Sequence, residues 1–160
     1  MAKRTVVLID DEPEPMKYYI KALELLHFEA KVLRSLDEAW EFFGEPHPEV
    51  EAVILDIMMS PGKYLSNVDH ADGLRTGLFL YKRIVEQLGI QQARKHPLPV
   101  AVLTNVSNPT TLAALEHAER DCGPYRIWQK MDTSPMTFAD QLVRWLTELG
   151  VDGSGGPSHD

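Results

Sequence analysis

Four residues of this chain stand where apolar runs stop: Asp10 after VVLI, Asp56 after AVIL, Thr104 after AVL and Lys130 after YRIWQ. Asp11 follows Asp10, so three carboxylates, a hydroxyl and an ammonium share one kind of position. Carboxylates brought together repel unless a cation or a proton lies between them. A hard oxygen ligand set points to a divalent ion, magnesium or manganese. Such an ion would also neutralise a phosphoryl group approaching a carboxylate. Lys130 offers a compact positive charge to one phosphoryl oxygen, and Thr104 a hydroxyl donor to another. Asp56 is then a candidate nucleophile toward phosphorus, since enzymes do form aspartyl phosphates. The plainer alternative makes the acids solvated strand ends, Thr104 a β-branched strand residue and Lys130 a surface lysine. What separates the two is whether the fold brings these positions together.

The elements that must do so are legible in the hydrophobic pattern. Val6 to Ile9 is a short continuous apolar run of the kind that fits a strand covered on both faces. Met16, Tyr19, Ile20, Leu23 and Leu26 give a helical stripe, and Ala30 to Leu33 a short second strand. Ser35 with Glu38 forms a capping-box pattern opening a helix through about Phe43. AVILD, 52–56, repeats the first pattern. Residues 59–76 have no clean period and read as a long loop, followed by the helix GLFLYKRIVEQLGI. LPVAVLTN supplies a strand, Pro109 opens a helix, YRIWQK supplies the last strand, and Pro135 to Leu149 the last helix. Strand and helix alternate five times, which argues an α/β doubly wound parallel sheet with both faces covered. In such folds the carboxyl ends of the strands form the ligand crevice. Asp10, Asp56, Thr104 and Lys130 all fall at that edge.

The 160 residues suit one domain, expected over 1–149, and the Gly, Ser and Pro-rich tail 150–160 is expected to be disordered. A formal net charge of -8 argues against a nucleic-acid partner. The apolar start is four residues long and runs straight into DDE, neither a signal peptide nor a membrane span, so a cytoplasmic protein with no membrane partner is expected. Cys122 is alone and permits neither an internal disulfide nor a cysteine metal cluster. His27, His47, His70, His96 and His117 are scattered without metal-ligand spacing, and His159 lies in the tail.

VVLIDDE, AVILDIMM, GLFLYKRI, AVLTN and WQK, in this order across residues 4 to 148, resemble a response-regulator receiver domain, the phosphoacceptor half of a two-component pair. The resemblance implies a flavodoxin-like, CheY-like fold with five parallel strands in the order 2-1-3-4-5. It implies that Asp56 accepts the phosphoryl group and that Thr104 is the switch hydroxyl and Lys130 the conserved lysine. Asp10, Asp11, Asp56 and the carbonyl of Met58 are the implied metal ligands, with Asp11 closer to the ion than Asp10. The implied partners are a histidine kinase or phosphotransfer protein and a downstream protein. The implied activity is self-phosphorylation and autodephosphorylation rather than turnover, in a monomer or weak homodimer.

The chain departs from that pattern at several positions. Ser60 stands where a proline is usual, Pro61 is displaced by one, and the helix-opening glycine is best matched by Gly77, which makes the loop long. Ile127 replaces an aromatic switch residue, Met131 a cis proline and Asn105 a very small residue. The phosphorylation chemistry survives these changes on paper, but the relay needs another conformational readout, for which the 59–76 loop with Lys63 and Arg75 is the candidate. The alternative function is a degenerate receiver, a phosphorylation-independent interaction module. A magnesium-dependent phosphatase is disfavoured because Met58 occupies the position of its acid–base carboxylate.

Overall fold

The computed structural model describes residues 4–45, 47, 49–56, 62–63, 80, 83, 98–104, 125–129 and 133–150. Its strands are β1 (Arg4–Ile9), β2 (Phe28–Leu33), β3 (Val50–Leu55), β4 (Val100–Thr104) and β5 (Tyr125–Gln129). Its described helices are α1 (Pro13–Leu25), α2 (Leu36–Phe42) and α3 (Pro135–Glu148). Of the expected elements, most of GLFLYKRIVEQLGI, the helix after Pro109 and residues 151–160 of the tail lie outside the described residues.

All pairings are parallel, and the expected order 2-1-3-4 holds for the first four strands; the β5 backbone pairs with β4. The central strands are apolar on both sides because both faces are covered. Val6, Val7, Leu8 and Ile9 of β1 are all fully buried, as are Ala52, Val53 and Leu55 of β3. The edge strand β2 shows the contrasting pattern: Phe28 and Leu33 are buried, while Glu29 and Lys31 are exposed. Charged side chains on an edge discourage further strand pairing.

Period-two alternation divides the β1 residues between two cores. Val6 and Leu8 join Ile54, Ala101 and Leu103 beneath α1 and α3, where Met16, Tyr19, Leu23, Phe138, Leu142 and Trp145 complete one cluster. Trp128 of β5 packs edge-on against Phe138 and Trp145, with ring centroids 5.6 and 5.8 Å apart. The buried α2 residues Leu36 and Ala39, and Phe43 just after the helix, belong to none of this.

Local chemistry sets the element ends. Ser35 accepts the Glu38 N–H at 3.1 Å, as the capping pattern predicts, but the Glu38 carboxylate accepts from Arg34 N–H, one residue earlier than the reciprocal box requires. Ser134 caps α3 by accepting the Thr137 N–H at 3.2 Å, with Pro135 opening the helix. The chain leaves α1 through His27 at φ 68°, a left-handed conformation more usual for glycine. That turn lets β2 begin at Phe28, two residues before the expected Ala30.

Candidate functional site

β1 and β3 are neighbours in register, Ile9 opposite Leu55, so the residues that follow them leave the sheet side by side. The backbone fastens both exits. Asp10 N–H donates to the Leu33 carbonyl at 3.1 Å, and Asp56 N–H donates to the Ile9 carbonyl at 2.9 Å. The ladder thereby continues one residue past the strands and holds both aspartates at the carboxyl edge.

There Asp10, Asp11 and Asp56 each offer a carboxylate oxygen within 4.8 Å of the other two. The adjacent pair Asp10–Asp11 and the sequence-distant Asp56 are one cluster in space. Asp10 is only 1 % exposed. One of its oxygens accepts the Glu12 N–H at 2.8 Å, which helps satisfy a carboxylate this buried and shapes the turn into α1. Glu12 itself makes no side-chain cap. Asp11 and Asp56 keep contact with solvent.

The donor set fits a small hard cation. Oxygens bound to one magnesium at about 2.1 Å lie roughly 3 Å apart when adjacent and about 4.2 Å when opposite. Oxygens within 4.8 Å therefore need to close by up to roughly 2 Å for adjacent places, or admit water into the shell.

Thr104 ends β4, paired with Gln129 at the end of β5, so both strand ends lie at the same edge of the sheet as the acids. Lys130 is the next residue after Gln129 and lies outside the described residues, as do Met58, Asn105 and Met131. Ile127 lies within β5 opposite Val102.

The overall geometry can now be compared with known structures. It matches a CheY-like response regulator receiver domain protein from Methanospirillum hungatei JF-1 with a TM-score of 0.66 at 12% identity, covering 95% of this chain and 100% of that one. The chain has the receiver-domain fold. The receiver domain of a putative Luxo repressor protein from Vibrio parahaemolyticus gives a TM-score of 0.66 at 13% identity, over 99% of this chain and 100% of that one. The bacteriophytochrome response regulator AtBRR gives 0.60 at 19% identity, again over 99% and 100%. The sequence itself matches no family model and no curated protein. At these identities the likeness lies in the receiver fold, and the residues at the carboxyl edge must carry the functional argument.

Two features of this receiver fold were not foreseen in the sequence. Lys63 belongs to the loop named as the candidate readout; its ammonium lies 3.4 Å from Glu41 of α2 and its N–H donates to the Asp37 carboxylate at 3.0 Å. Lys63 is thus fastened to α2. The preceding residue, Gly62, has φ 63°, and a Cβ built there would collide with Asp37. The second feature is Tyr19, expected only as a core residue. Its hydroxyl donates to the Thr133 carbonyl at 3.2 Å, across 114 positions of sequence. Neither tie has a local signature, because each joins residues remote in the chain. Of the histidines, His47 has its ring nitrogens 2.7 Å from the Phe42 carbonyl and 3.2 Å from Glu49, and stacks on Phe42, which is a packing role.

Proposed function

We propose that this chain is a phosphoacceptor receiver that takes a phosphoryl group from a histidine kinase or phosphotransfer protein onto Asp56 and passes its state to a protein partner. The observation that supports this most is the meeting of Asp10, Asp11 and Asp56 at the carboxyl edge of the sheet. An Asp56 carboxylate oxygen attacks phosphorus in line, the bond from phosphorus to the donor's imidazole nitrogen breaks, and that nitrogen takes up a proton. A magnesium ion, when bound, would offset the negative charge of the acids and the incoming phosphoryl oxygens. Asp11, Asp56 and the Met58 carbonyl would hold it, with Asp10 behind them. Thr104 would donate its hydroxyl to one phosphoryl oxygen and Lys130 its ammonium to another. Hydrolysis of the same acyl phosphate returns the carboxylate, so the chain resets itself without being a turnover enzyme.

The second reading, a phosphorylation-independent interaction module, rests on Ile127 and Met131, which replace the residues of the usual relay. Among the described residues no helix is long and apolar enough to cross a membrane. Incubation with acetyl phosphate and magnesium, followed by intact-mass measurement, decides between the readings. The expected result is one added phosphoryl mass on the native chain and none on Asp56→Asn. Equal labelling of both proteins refutes the assignment to Asp56, and a folded native chain that never labels favours the interaction module.

A further inference from the structure

We draw no further inference here: the strongest candidate, the open groove where the end of α1 meets α3, lined by Leu26, Asp140, Val143, Arg144, Thr147 and Glu148, carries no proposal because nothing in the structure shows what covers it.

Discussion

Removing Asp11 is expected to stabilise the protein when no metal is present. Asp11 lies within 4.8 Å of carboxylate oxygens on both Asp10 and Asp56. At that separation two unit charges repel by about 3.5 kcal/mol at an effective dielectric of 20 and by about 0.9 kcal/mol at 80. Asp11 borders solvent, so the lower value is the better guide, and two such pairs give about 2 kcal/mol. Metal-free Asp11→Asn is therefore expected to exceed the native chain by about 1–2 kcal/mol, a rise in Tm of roughly 2–8 °C for a chain of this size. Magnesium should reverse the ranking. At a hundred times its Kd the ion stabilises the native protein by about 2.7 kcal/mol, more than the metal-free difference, and Asp11→Asn, lacking a direct ligand, should gain far less. Thermal melts with chelator and then with magnesium read both effects, and 1 M monovalent salt should shrink the metal-free difference because the pairs are partly solvated. A metal-free Asp11→Asn that melts at or below the native temperature refutes the repulsion argument. An equal magnesium shift in both proteins refutes the ligand role.

Gly62→Ala is expected to be destabilising, since the new Cβ must adopt a left-handed φ and meets the Asp37 carboxylate; the loss should be smaller in an Asp37→Ala background, read by chemical denaturation. Phe138→Ala should cost about 3–5 kcal/mol, because Phe138 is fully buried between Tyr19 and Trp128. Ser134→Ala, which removes the α3 cap, should cost about 1 kcal/mol in the same assay. With magnesium and beryllofluoride bound, amide exchange should slow over 59–76 and also in α2, which Lys63 joins to that segment through Asp37 and Glu41; α2 unchanged while 59–76 slows would show that the tie transmits nothing.

What the sequence made legible was periodic or terminal. The strand ends at Asp10 and Asp56 were visible because continuous apolar runs stop there, and the cap at Ser35 because a hydroxyl next to a helix has a local job. The early start of β2 was not visible, because it depends on His27 taking a φ that glycine usually takes. The contact of α2 with Lys63 was hidden for another reason: Asp37 meets Lys63 across 26 positions of sequence, and Glu41 pairs with the same lysine. The hydrogen bond from Tyr19 to Thr133 was hidden likewise: a tyrosine on an apolar stripe looks the same whether or not its hydroxyl finds a distant carbonyl.

The site itself depends on register more than on the identity of any one acid. Asp56 meets Asp10 because Ile9 pairs with Leu55 and the Asp56 N–H reaches the Ile9 carbonyl. A slip of one residue would carry Asp56 about 3.3 Å along the strand and turn every β3 side chain to the opposite face. Ile54, now beneath α1 and α3, would exchange faces with Val53 and Leu55. Because both faces are apolar, that exchange alone costs less than it would in a half-exposed sheet, and binary patterning specifies the register only weakly. Shape and the polar ends must supply the rest. The ladder already absorbs one irregularity between Thr5 and Val6, at the end remote from the acids, and runs in regular register from Val6 to Ile9. The irregularity is thus confined to the side where nothing chemical is placed, and the regular half of the strand delivers Asp10 and Asp56 to the same edge together.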